Sequence, residues 1–184
     1  MELALDSRDA LNQFLAGVER RAFRIAKFSS GGADEAFDLV QEAMLQFVKR
    51  YADRPRDQWN ALFYRVLKSR ITDWHRRTLV RRRFLAFLGL GNDEREGDDL
   101  IRNLPDLSNP NPSDQVERQE ERSALDKAIR KLPLRQQQAF LLRAWEGMDV
   151  AQTSLAMGCS EGSVKTHYSR AVHTLRGLLE DIRS

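Results

Sequence analysis

Apolar positions recur at helical spacing along almost the whole 184-residue chain, and no stretch alternates strictly as a half-buried strand would. Residues 10–28 read as a first helix, closed by the Ser-Ser-Gly-Gly break at 29–32. "ADEAFDLVQEAMLQFVKRY" is a second, with Asp34 and Glu35 in its first turn, where the helix dipole favours anions. Its residues Phe37, Val40, Met44, Phe47, Val48 and Tyr51 fall on one stripe, which predicts the core-facing side. Pro55 disfavours helix at Arg54, so "ADRPRDQ" reads as a turn. A third helix runs from Trp59 to about Arg83 and is expected to bury Trp59, Leu62, Phe63, Val66, Leu67, Ile71 and Trp74. Arg70 then falls on its apolar side and needs a carboxylate partner.

The periodicity breaks after residue 86. Gly89, Gly91, Gly97, Pro105, Pro110 and Pro112, set among Asp and Asn, have the composition of a linker. Residues 93–111 are expected to be mobile, because they offer too little apolar surface to bury. Helical periodicity resumes near Pro112. The expected fold is therefore all-α, with two small helical modules (1–86 and 114–184) joined by a flexible acidic linker at 87–113.

The second module carries the spacing of a helix-turn-helix. Asp149 can cap a short helix ending at Met157, Gly158 can take the left-handed turn, and Ser160 can cap the next helix. That helix has a stripe of Val164, Tyr168, Ala171, Val172, Leu175, Leu178, Leu179 and Ile182 on one side. Ser163, Thr166, Ser169 and Arg170 lie away from it, with Gly162 and His173 beside them and Lys165 at the flank. Small hydroxyls and a glycine let a helix enter a major groove, where Arg reads guanine and Ser or Thr reads several base edges.

Charge sharpens this reading. The net charge is only +3, but from Arg65 to Arg83 eight Lys or Arg face one acid, Asp73. From Asp93 to Asp126 eleven acids face four arginines. A basic block is the usual footprint of a nucleic-acid surface. On the third helix Arg65, Lys68, Ser69, Thr72, His75 and Arg76 are expected on the outer face, with Tyr64 and Trp74 as rings beside the cations. On the second helix Asp38, Gln41, Glu42, Leu45 and Lys49 gather on a separate face, where a leucine among polar residues suits a protein interface.

No apolar run is long enough to span a bilayer and no signal-peptide pattern opens the chain, so a cytoplasmic location without membrane insertion is expected. Cys159 is the single cysteine, which excludes an internal disulfide. His167 and His173 lie about 120° apart around their helix, so with Cys159 they do not make a zinc site. With no phosphate-cradling glycine loop either, no metal, cofactor or catalytic constellation is expected.

The stretch "LPLRQQQAFLLRAWEG…EGSVKTHYSRAVHTL" resembles region 4 of bacterial RNA polymerase sigma factors of the extracytoplasmic-function (ECF) group. "DLVQEAMLQFVKRY" resembles the sigma region 2 segment that docks on the clamp helices of the polymerase's largest subunit. "WNALFYRVLKSRITDWHRRTLVRRRF" is similar to regions 2.3 and 2.4, which open the duplex and hold the minus-10 element. The resemblance spans about residues 10–85 and 115–182. It implies core-polymerase docking by Asp38, Gln41, Glu42 and Leu45, and minus-10 contacts by Arg65, Lys68, Ser69, Thr72, His75 and Arg76. It implies minus-35 contacts by Ser163, Lys165, Thr166, Ser169 and Arg170. Core polymerase and promoter DNA are the expected partners, with an anti-sigma protein as a further one. Three departures from the family's habits stand out: Met44 where an aromatic is more common, Ser69 where many members carry asparagine, and Gln152, Thr153 and Ser154 where glutamates are frequent. The rival reading is a free-standing helix-turn-helix regulator that needs no polymerase partner.

Overall fold

The computed structural model describes residues 2–88 and 112–183, and the side chains of 8–88 and 122–180. Its elements are α1 (Glu2–Ser30), α2 (Ala33–Tyr51), α3 (Arg56–Phe87), α4 (Pro112–Lys131) and α5 (Leu134–Phe140). A π-helical turn, Leu141–Trp145, continues α5, and α6 (Val150–Met157) and α7 (Glu161–Arg183) complete the chain. The fold is all-α, with no strand among the described residues. The breaks fall where Gly31, with φ of 83°, and Pro55 place them. The expected mobile stretch at 93–111 lies outside the described residues.

Helices α1, α2 and α3 close on an aromatic cluster. Phe14 meets Phe47 at 5.4 Å and Trp59 at 5.5 Å between ring centroids, and Phe47 meets Phe63 at 5.8 Å. The Trp59 indole satisfies its polar edge by donating to the Arg54 carbonyl at 2.7 Å. The buried side of α2 differs from the expected stripe. Ala36, Leu39, Val40, Ala43 and Phe47 face the core, whereas Phe37 and Val48 are exposed. Two alanines explain the rotation, since their small side chains let α2 approach its neighbours while a count of large apolar residues passes over them. On α3 the expected core residues are buried or half-buried, and Arg70 finds its carboxylate three residues along, with Nη2 3.3 Å from Asp73 Oδ2.

In the second module the helix-turn-helix is held by local chemistry. Asp149 and Gln152 form a reciprocal capping box at the start of α6. Thr153 is fully buried and donates to the Asp149 carbonyl at 2.7 Å, and Ser154 donates to the Cys159 carbonyl at 2.6 Å. The three positions where this chain departs from glutamate are thus occupied by groups that fasten the motif. Gly158 ends α6 at φ 60°, and the Ser160 hydroxyl accepts the Ser163 N–H at 3.2 Å to open α7.

The two modules are packed together on one continuous apolar core, with α6 lying against α3. The seam also carries polar contacts. Ser29 Oγ donates to Gln137 Oε1 at 2.8 Å, and Gln137 Nε2 reaches the carbonyls of Ile129 at 3.1 Å and Phe28 at 3.4 Å. Arg21 Nε lies 3.2 Å from Glu146 Oε2, whose side chain is 1% exposed. Phe28 meets Trp145 edge to face, and the Arg24 guanidinium sits over the Trp145 ring.

Candidate nucleic-acid interface

The exposed side of α7 follows from its buried side. Val164, Ala171 and Leu175 are sealed in the core, which turns Gly162, Lys165, Thr166, Ser169, Arg170 and His173 to the surface. Tyr168 supports the helix from beneath, stacked on Phe140 and covered by the Arg143 guanidinium. Thr166 Oγ1 donates to the Gly162 carbonyl at 3.0 Å, so its hydroxyl has only acceptor capacity left for a ligand. Ser163 is half-buried, and its hydroxyl shares a 2.9 Å hydrogen bond with Ser160 at the cap. It shapes the helix start more than it offers a free reading group. Arg170 and Lys165 make no ion pair among the described residues, which leaves both cations for a phosphate or a base edge.

On α3 the expected outer face divides in two. Arg65, Ser69 and Arg76 are exposed. Lys68, Thr72 and His75 are half-buried and turn toward the rest of the molecule. Lys68 Nζ donates to the carbonyl of Met157 at the end of α6 at 3.0 Å, and Arg135 reaches the same oxygen at 3.3 Å. Burial, then the neighbouring Arg135, lowers the Lys68 pKa from its ordinary value. Burial also lowers that of His75, with Arg82 adding to the effect and the Ser29 backbone opposing it. Thr72 spends its hydroxyl proton on the Lys68 carbonyl. Tyr64, expected beside the cations, is instead a core residue 1% exposed. Its phenol lies in the seam, where burial first and the Glu146 carboxylate second raise its pKa above the ordinary value. It is the ring on the wrong side of the helix, one residue away from Arg65. Trp74 is half-buried against the core, with its ring beside that of His75.

The α2 face is fully displayed. Asp38, Gln41, Glu42 and Leu45 are all exposed, Leu45 at 61%. Phe37 and Val48 flank them, so three apolar side chains alternate with polar ones on a single exposed side. Sequence reasoning placed the two outer residues in the core; their distance around the helix from Ala36 and Ala43 was the missed signal.

Three exposed faces, a basic helix and a helix-turn-helix thus lie on one chain. The family description "Sigma-70, region 4" matches residues 122–175, which include α5, α6 and most of α7. The chain is 31% identical over 160 residues to the ECF RNA polymerase sigma factor EcfG of Rhodopseudomonas palustris, covering 86% of this chain and 78% of that protein. The chain belongs to the ECF RNA polymerase sigma factors. It is also 29% identical over 178 residues to the ECF sigma factor BldN of Streptomyces coelicolor, covering 94% of this chain and 61% of that protein. The chain therefore spans less than two thirds of that relative's length. Its fold is similar to that of the sigma factor RpoE of Bartonella quintana, solved in complex with the anti-sigma factor NepR, with a TM-score of 0.64 at 21% identity. That match covers 92% of this chain and 96% of the other. Among the described residues no cluster of His, Cys, Asp and Glu could hold a metal, and no helix is long and apolar enough to cross a membrane.

Proposed function

We propose that this chain is a dissociable sigma subunit, which binds core RNA polymerase in the cytoplasm and directs promoter-specific initiation. The observation that carries this reading is the reach of the family relationship. A match to an ECF sigma factor over 86% of the chain extends through the first module, whereas a free-standing regulator would share the helix-turn-helix alone. In this reading the first module (1–86) docks through Asp38, Gln41, Glu42 and Leu45 and melts the minus-10 element along α3. The second (114–184) reads the minus-35 element through Lys165, Thr166, Ser169 and Arg170. The residues at 87–113 connect them. The chain supplies no reacting group of its own, and the chemistry of RNA synthesis belongs to the polymerase.

The closed seam bears on this function. Lys68, assigned to minus-10 DNA, is engaged by the end of α6, so the two modules separate before α3 meets its promoter strand. A partner that bound the closed form would hold the sigma subunit inactive, which is the part proposed for an anti-sigma protein. The test is reconstitution with core polymerase on a library of promoter sequences. Promoter-dependent transcripts that require the chain support the reading. Specific DNA binding by the free chain, without polymerase association or stimulated transcription, supports the regulator instead.

A further inference from the structure

Two exposed helix faces carry opposite charge around large apolar side chains. On α2, Asp34, Phe37, Asp38, Gln41, Leu45 and Val48 are all exposed and, at about 100° per residue, fall within roughly 100° of arc. Glu42 borders them, and the cations of α2, Lys49 and Arg50, are confined to its last turn. On the C-terminal half of α3, Arg76, Val80, Arg83, Phe84 and Phe87 share a similar arc, Phe84 at 61% exposure and Phe87 at 87%. Arg77, Arg81 and Arg82 flank them, and no acid follows Asp73 in the helix. The charges are unspent on both sides. Asp34, Asp38, Glu42, Arg76, Arg81 and Arg83 make no ion pair among the described residues.

We propose that the acidic face of α2 in one copy of the chain docks on the basic strip of α3 in a second copy. Like faces repel, acids against acids or arginines against arginines, whereas the unlike faces attract and steer each other. The partner must be another copy, because α2 and α3 already pack together through their buried sides and their outer faces cannot meet within one chain. The lengths agree. Asp34 to Val48 spans about 21 Å of helix and Arg76 to Phe87 about 16 Å. The order of side chains agrees as well, since both faces begin with charges and end with large apolar groups. Laid parallel, the α2 acids meet the arginines, while Leu45 and Val48 leave water against Phe84 and Phe87. One helix laid on another buries less than a standard interface of about 1,600 Å², so the association is weak, reversible and sensitive to salt. The two faces differ, which makes the contact heterologous. It covers the α2 face assigned to polymerase docking, so self-association withholds that face from polymerase. This consequence rests on the sigma-subunit reading; the contact itself does not.

Sedimentation velocity of the full chain, followed over about a hundred-fold range of concentration, is expected to show reversible association that weakens as salt rises. Leu45→Arg on α2, and Phe84→Asp with Phe87→Asp on α3, are each expected to weaken it about ten-fold or more. An equimolar mixture of these two variants should restore association to within about three-fold of the native chain, because one keeps an intact α3 strip and the other an intact α2 face. Arg76→Glu with Arg83→Glu should repeat the α3 result through charge alone. All the substituted side chains are exposed, and circular dichroism checks that each variant keeps its helices. A native chain that stays monomeric, association that ignores either variant, or a mixture that remains monomeric overturns the proposal. Core-polymerase pull-down is read in parallel. Polymerase binding through Leu45 by a chain that stays monomeric refutes the contact alone. Association through both faces by a chain that does not bind polymerase refutes the docking reading and leaves the contact standing.

Discussion

Replacing Arg21 by alanine leaves the Glu146 carboxylate buried at the seam without its cation. The Glu146 side chain is 1% exposed and that of Arg21 52%, so the carboxylate bears the desolvation while the guanidinium remains half in water. Removing one partner of a fully buried pair costs about 3–5 kcal/mol. An exposed pair contributes only about 0–1 kcal/mol. This pair is half of each kind, which places Arg21→Ala at about 1–3 kcal/mol of lost stability. Glu146→Gln removes the stranded charge at similar volume, so the double variant should recover at least about 1 kcal/mol of the loss. Burial raises the Glu146 pKa, opposed by Tyr64 and Arg21. With the folded value above the unfolded one, the cost of the buried charge is present at neutral pH and vanishes as pH falls through the folded value. The deficit of Arg21→Ala should therefore shrink on acidification toward about pH 4.5. Urea unfolding of the native chain, both single variants and the double gives all four corners of the cycle. Additive single effects, or a deficit that does not change with pH, would refute the account of the seam.

The remaining expectations concern separate parts of the molecule. Burial lowers the His75 pKa, so the unfolded chain takes up the proton first; stability is whole above about pH 6.5 and is lost as pH falls from there toward the folded value. His75→Gln should flatten thermal midpoint against pH between about pH 7.5 and 5.5, and curves parallel to the native ones would count against it. Gly158 has φ 60° and nothing within 4 Å of an added Cβ, so Gly158→Ala should cost about 1–2 kcal/mol through the backbone alone, checked by urea midpoint. Leu45→Arg should leave the helices and midpoint unchanged yet weaken core-polymerase binding at least ten-fold in a pull-down, since a charge would enter the centre of a desolvated contact. Arg170→Ala should cost about 1–3 kcal/mol and relax preference at one base-pair position in transcription from a minus-35 library; an unchanged preferred sequence and output would show that this face of α7 is not the reader.

The helices were legible because their punctuation is chemical. Gly31, Pro55, Asp149 and Gly158 each do locally what their residue type demands, without help from distant parts of the chain. The exposed face of α7 was legible for the same reason, since its stripe of Val164, Ala171 and Leu175 contains residues that are buried in almost any context. Tyr64, Phe37 and Val48 were misplaced because an aromatic or branched side chain has no side of its own. Which way each points is decided by the alanines opposite, Ala36 and Ala43, and by a second module that no local spacing announces. The seam could not be read at all. Ser29 and Gln137 meet across 108 residues of sequence, and neither has a neighbour in the chain that foretells the other.

On the proposed reading, that polar seam allows one surface two uses. A core of leucines alone would hold the modules together at a cost no promoter strand could match. Here closure relies partly on groups that water can satisfy just as well: the Ser29 hydroxyl, the Gln137 amide, the Glu146 carboxylate and the Lys68 ammonium. Opening exchanges these hydrogen bonds for bonds to solvent at small net cost, so apolar contacts such as Phe28 on Trp145 supply most of the resistance. In the proposed sigma cycle Lys68 changes partner instead of losing one, from the carbonyl at the end of α6 to a phosphate of the promoter strand. Because burial lowers its pKa in the closed form, its charge is stabilised on release. The same cation thus adds little net hold to the closed seam and rewards DNA capture.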